Sequence, residues 1–142
     1  MTIWRPAQQI RVKAIGLPWR NGCFLAAEVE DDAGQVKGLR PLGGSVEFGE
    51  TWQDTLKREF PEELDVDIEI SGPHHVLENI YHHEGEIGHE VLFVAPVTFS
   101  SDAYADQNVI SFAEDNGLIC RARWVTPDPS ERGEIELFPD GL

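Results

Sequence analysis

The sequence predicts an α/β or α+β domain, a β-sheet with helices packed on it. Three observations carry that expectation. Short runs rich in Val, Ile, Leu and Phe end at Asn, Gly or Asp turn signals. One run, residues 51–64, repeats Trp52, Leu56, Phe60 and Leu64 at a spacing of four, which makes a single apolar stripe on a helix. Strand-like runs stand both before and after that helix.

Taken in order, "IRVKAIGL" and "GCFLAAEVE" read as two strands joined through "PWRNG", where Asn21-Gly22 is a strong hairpin signal. "DDAGQ" is a second turn, and "VKGLRPLGG" runs from a short strand into a Gly-Gly loop. "TWQDTLKREFPEEL" is the helix. Thr51 caps it, and Asp54 three residues on resembles a capping box with Asp in place of Glu. "VDIEI" is a strand after the helix. "HHVLENIYHH" and "HEVLFVAPVTF" are two longer strands across the turn "EGEIG". "ADQNVISFAEDNG" reads as a loop with one helical turn, "ARWVTP" as a last short strand, and "DPSERGEIELFPDGL" as a short helix and tail.

A length of 142 residues fits one domain, 1–142, with a proper core. The charge balance is unusual: 26 acids against 11 bases give a formal net charge of −15. Such a chain is a poor partner for a nucleic-acid polymer, whose phosphates require clustered Lys and Arg. An anionic membrane surface is disfavoured for the same reason. The two cysteines, Cys23 and Cys120, lack CxxC spacing and read as reduced thiols of a cytoplasmic protein. No basic segment followed by an apolar one opens the chain, and no apolar run is long enough to span a bilayer.

The chemistry gathers in "GGSVEFGETWQDTLKREFPEELDV", residues 43–66. Glu59, Glu62 and Glu63 sit at i, i+3 and i+4 and share a helix face. At about 100° per residue, that face lies roughly 90° from the apolar stripe. Three like charges so close repel unless they are solvated or share a cation. A solvated acidic face gives the same pattern. An oxygen-only donor set suits Mg²⁺ or Mn²⁺. Gly43 and Gly44 allow close backbone approach to a ligand, and Glu50 is a charge-assisted partner for Arg58.

Gly44, five residues, Glu50, seven residues, then Arg58-Glu59-Phe60-Pro61-Glu62-Glu63-Leu64-Asp65-Val66 resembles the Nudix box of the Nudix hydrolase family, the MutT-like pyrophosphohydrolases. All spacings and all charged positions match, while Asp65 stands where the family has glycine. Asp tolerates the left-handed cap conformation better than most residues. Pro61 falls inside the helix, where its ring clashes with the carbonyl of Lys57. A kink or bulge is therefore expected near residues 57–61.

The resemblance implies an α/β/α sandwich, with a mixed sheet on which the Nudix loop and helix pack. It implies hydrolysis of a nucleoside diphosphate linked to another moiety, ADP-ribose-like, another sugar nucleotide or a nucleoside triphosphate, with Mg²⁺ or Mn²⁺ bound. Carried over by position, Glu59 and Glu63 are the main metal ligands, Glu62 assists, the Gly44 carbonyl adds a ligand, and Glu50 orients Arg58. The general base is a box glutamate or an acid outside the box. Glu90, on the strand face shared with Leu92 and Val94, is the first choice outside it. Arg40 is placed to meet a phosphate or sugar, and His89 to contact substrate; a solvent-facing Arg40 fits as well. A homodimer is expected on the same analogy. Two other classes fit the pattern: a catalytically silent nucleotide-binding module, and an acidic adaptor using the helix as a charged face. The prenyl diphosphate isomerases that share the fold require a nucleophilic cysteine, for which the sequence shows no motif. The five histidines, at 74, 75, 82, 83 and 89, do not suggest zinc, because strand neighbours point to opposite faces.

Overall fold

The computed structural model describes residues 3–6, 8–102, 104–114, 117–128 and 136–139. Among the described residues the elements run β1 (Ile10–Arg20), β2 (Cys23–Glu30), β3 (Val36–Ser45), α1 (Trp52–Leu64), β4 (Ile68–Ile70), β5 (His75–His83), β6 (Glu86–Phe99), β7 (Val109–Ala113), β8 (Ile119–Val125) and β9 (Glu136–Leu137). They form one mixed sheet in the order β4-β6-β1-β3-β2-β8-β7. β5 pairs with β6, and β9 with β3. β1 runs parallel to β6 and antiparallel to β3. The architecture is the expected α+β class.

The turns follow from their residues. Asn21 and Gly22 both have positive φ, 51° and 79°, and close a two-residue hairpin that pairs Arg20 with Cys23. Beyond Trp19 and Phe24 the hairpin opens, and β3 inserts between its strands. Glu84 and Gly85, with φ of 50° and 82°, make a second tight hairpin between β5 and β6.

One core cluster lies under α1, where Leu56, Phe60 and Leu64 meet Ala14, Leu42, Val97, Ile110 and Phe112. A second fills the other side of the sheet with Ile15, Leu17, Phe24, Leu39, Leu92 and Val94. The alternation along β1 and β6 divides the residues cleanly, odd against even, between the two clusters.

Three expectations are corrected or limited. Residues 109–113 form β7 rather than part of a loop with a helical turn. Ile110 and Phe112 point inward and alternate with exposed Val109, Ser111 and Ala113, a period of two that is short but complete. Pro61 does not break α1, which runs unbroken from Trp52 to Leu64. The proline lies in the last turn, so it removes the bond to a single carbonyl, and the amide of Asp65 still closes on the Pro61 carbonyl at 3.0 Å. Most of the helix and tail expected over residues 128–142 lies outside the described residues; residues 136–137 within it pair with β3 as β9. Among the described residues no helix is long and apolar enough to cross a membrane.

The helix ends as its sequence suggests. The Thr51 hydroxyl accepts the Asp54 amide at 3.1 Å at the N-terminus. At the C-terminus Asp65 takes the left-handed conformation, φ 54° and ψ 38°. An L-residue costs about 1–2 kcal/mol in that conformation, and aspartate less. Asp65→Gly is therefore expected to stabilise the fold by up to about 1 kcal/mol, seen as a higher melting temperature.

Candidate metal centre

The site forms where β3 runs into the loop before α1. Gly43 pairs with Ile15 and Gly44 with Ala14 across β1. Both glycines are required by close approach. A Cβ at Gly43 would fall on the main-chain carbonyl of Ala14, and a Cβ at Gly44 on the carboxyl of Glu59. Glu59 is only 6% exposed, so its carboxylate is pressed against the bare backbone of β3.

Glu63, one turn further along α1, shares a hydrogen bond with Glu59. Burial pushes the Glu63 carboxyl well above the usual carboxylate range, and the neighbouring Glu59 charge adds to the shift. Glu114 raises it further and Arg40 opposes the rise, so these two residues face the same place from outside the helix. Arg40 is ion-paired with Glu114. Two carboxyls held in contact need a proton or a cation between them.

Arg58 ties the loop to this pair. Its Nε and Nη2 donate to Glu50 at 2.8 and 3.1 Å, Nη1 to Glu59 Oε1 at 2.7 Å, and Nη2 to the Ser45 carbonyl at 3.2 Å. Glu50 also accepts the Thr55 hydroxyl at 2.6 Å and the Glu47 amide at 3.2 Å. The sequence-based pairing of Glu50 with Arg58 is thus present. The guanidinium, then the Thr55 hydroxyl, hold the Glu50 carboxyl down at about 2, against 4.5 when unperturbed. A group lowered on folding contributes stability above its unfolded value and loses it as the pH falls through the folded one. Glu50→Gln is therefore expected to unfold more readily at neutral pH than the parent. It should also lose less stability between pH 4.5 and about 2, which acid titration of the melting temperature will show.

The other expected site residues divide. Arg40 is brought to the Glu59–Glu63 pair. Glu62 reaches instead toward Arg58 Nη1, at 3.5 Å, with its side chain 48% exposed. Glu90 does not join them. It does share a strand face with Leu92 and Val94, but these belong to the core cluster on the side of the sheet away from α1. It accepts the Asn79 amide at 3.1 Å and pairs with Lys13 at 3.3 Å. His89 contacts Glu78 at 3.2 Å, on the β5–β6 hairpin. Glu114 was missed. It follows β7 directly, and only the β7–β8 hairpin turns it toward α1.

The donor chemistry fits a hard divalent cation. Glu59 and Glu63 offer carboxylate oxygens, and the missing side chain at Gly44 leaves main chain beside them. Among the described residues no three His, Cys, Asp or Glu side chains are arranged to hold a metal, Glu62 being turned to Arg58.

Fold and site together define an α+β protein with a mixed sheet and an acidic helix docked against a diglycine strand. The sequence pattern of the NUDIX domain matches residues 11–138. The chain belongs to the NUDIX domain family, whose members are generally pyrophosphohydrolases that use divalent metals and act on small nucleotide derivatives. Among solved structures it is similar to a MutT NUDIX hydrolase from Burkholderia pseudomallei, with 28% identity over 66% of this chain and 71% of the other, at a TM-score of 0.52. It is similar in fold to the ORF135 protein of E. coli, with 21% identity over 92% of this chain and 82% of the other, at a TM-score of 0.56. No curated protein matches the sequence.

Proposed function

We propose that this chain, as a single cytoplasmic domain, hydrolyses the pyrophosphate bond of a nucleoside diphosphate linked to another moiety, with Mg²⁺ or Mn²⁺. The observation that carries the reading is the Glu59–Glu63 contact, two half-buried or buried carboxyls sharing a hydrogen bond beside Gly44. A bound divalent cation supplies neutralisation of the diphosphate and a water of lowered pKa. The chain's own groups supply position. Gly44 admits Glu59, Arg58 fixes the Glu59 carboxylate, and Glu50 fixes Arg58. Arg40, which ion-pairs with Glu114 beside these carboxyls, is the cation that would meet a substrate phosphate. In the reaction the water oxygen bonds to one phosphorus, the bridging P–O bond breaks, and the leaving phosphate keeps the electron pair.

Glu114, rather than Glu90, takes the proton from the attacking water in this reading, because it is the acid outside α1 that acts on Glu63. Glu114→Gln is then expected to lower turnover by about 10²-fold or more. Glu90→Gln, held to Lys13 and Asn79 on the other side of the sheet, is expected to stay within a few-fold of the parent. Steady-state rates on one cleaved substrate decide between them.

The reading is tested by incubating the protein with a panel of nucleoside diphosphate derivatives in Mg²⁺, in Mn²⁺ and in chelator, and measuring released phosphomonoesters. Cleavage of one compound, abolished by chelator, supports it and names the leaving group. Tight nucleotide binding without turnover in either metal would favour the silent binding module instead.

A further inference from the structure

A cleft of about 190 Å³ opens where β1 begins and β3 ends, on the sheet face away from α1. Register places its walls. Arg11 and Lys13 are two apart on β1 and so share a face. Lys13 pairs with Ser45 on β3, and Arg11 with Glu90 on β6. Ser45 follows Gly44, so the cleft begins one residue past the position that admits Glu59. Ser45 joins the two places. Its hydroxyl accepts Arg11 Nη2 at 3.2 Å, and its carbonyl accepts Arg58 Nη2 at 3.2 Å. Tyr81 of β5 closes one side, its ring lying over Gly88 of β6, where a Cβ would overlap it. The charge here is inverted. In a chain of net charge −15, Arg5, Arg11 and Lys13 line the cleft against one acid among the described lining residues, Glu90. Arg5 is held by Asp32 at 2.6 Å, and Lys13 lies 3.3 Å from Glu90. Among the described residues Arg11 is in no ion pair, and the Ser45 hydroxyl is what its guanidinium meets.

We propose that this cleft binds a phosphate of the substrate other than those of the bond that is broken, so that the substrate is a nucleoside diphosphate derivative bearing a further phosphate. The inference rests on the hydrolytic reading above for the diphosphate and on the cleft alone for the added group. Size indicates a part rather than a whole ligand, because pockets that enclose a small molecule run to about 300–1,000 Å³. Charge indicates an anion. An acidic surface repels polyanions, and a cleft lined mainly by bases focuses the opposite field. The donors indicate phosphate rather than carboxylate. Arg11 offers a guanidinium fork and Lys13 an ammonium, and the Ser45 hydroxyl keeps its own proton to donate. Three donors from two strands suit the three terminal oxygens of a phosphomonoester, which carries about −1.5 to −2 charge at pH 7. A carboxylate has two oxygens and a single charge. Glu90, which also accepts the Asn79 amide, positions the Lys13 ammonium. The Tyr81 ring supplies an apolar wall for the sugar or base that carries the phosphate.

Inorganic phosphate titrated into the isotopically labelled, metal-free protein tests the site, with ionic strength matched by chloride and amide shifts followed by NMR. Arg11, Lys13 and Ser45 are expected to shift together and to saturate at millimolar phosphate. Arg11→Gln is expected to raise the half-saturating concentration at least about tenfold, with circular dichroism confirming that it is folded. Arg121→Gln, at a side chain 60% exposed on β8, is expected to leave it unchanged. In Mg²⁺, a nucleoside diphosphate derivative with a phosphate on its ribose is expected to show kcat/KM at least about tenfold above the same compound without it, and Arg11→Gln to erase that difference. The absence of a saturable shift overturns the proposal. So does a shift that Arg11→Gln leaves unchanged, one lost equally in Arg121→Gln, or turnover indifferent to the added phosphate. Saturable binding in the cleft without turnover of any compound would support the phosphate site and fail the hydrolytic reading alone; turnover without binding in the cleft would do the reverse.

Discussion

Glu63→Gln is expected to lower metal-dependent turnover by about 10³-fold and to raise the melting temperature of the metal-free protein. The two effects have one cause. Burial and Glu59 both disfavour a charged Glu63, so the pair is a destabilising element until a cation sits between the carboxyls. Gln keeps the shape and can donate to Glu59, which relieves the repulsion. It also removes a carboxylate from the ion. Metal-ion stabilisation of developing charge contributes several kcal/mol, and each 1.36 kcal/mol is tenfold in rate. The gain in metal-free stability should be about 1 kcal/mol, near 4 °C for a domain of this size. In the parent, Mg²⁺ should raise the melting temperature by mass action, and in Glu63→Gln it should do so far less. A variant slower in turnover but unchanged in metal-free stability would contradict the shared origin.

Gly44→Ala is expected to reduce turnover by about 10²-fold while leaving a folded protein. Its new Cβ falls on the far end of the Glu59 side chain rather than on backbone, so that side chain can shift only by giving up its bond to Arg58. Displacing a reacting group by about 1 Å is enough for a 10²-fold loss. The crowding itself costs about 1–3 kcal/mol. Gly43→Ala is the contrast. There the added carbon meets the main-chain carbonyl of Ala14, which is fixed by pairing of β1 with β3. That variant should lose the fold before it loses any particular catalytic step. Rates and thermal melts measured on both proteins separate the outcomes. Equal loss of folding in the two would contradict the assignment of Gly44 to the Glu59 carboxylate.

What was legible in the sequence was local. The helix came within one residue of its observed start because Trp52, Leu56, Phe60 and Leu64 keep a regular spacing and Thr51 offers a cap. The Glu50–Arg58 pair was legible from fixed positions in one motif, and the left-handed Asp65 from its place after the last turn. Position across the sheet was not. Glu90 was correctly placed on the strand face of Leu92 and Val94, but no run of residues states which face α1 will cover. That depends on β3 inserting between β1 and β2, a long-range event. Glu114 was hidden for the same reason. It is one acid among 26, and only the pairing of β7 with β8 brings it to Glu63. β7 itself was obscured by polar residues on both sides of a five-residue alternation. The proline in α1 was overweighted, because a ring in the last turn removes a bond that little else depends on.

The central claim is that Glu59 and Glu63 hold a divalent cation between them. Mn²⁺ binding followed by electron paramagnetic resonance tests it without knowledge of the substrate. The parent is expected to remove free Mn²⁺ from solution, Mg²⁺ is expected to compete it off, and Glu63→Gln is expected to lose the site. Equal Mn²⁺ binding by the parent and by Glu63→Gln would contradict the account.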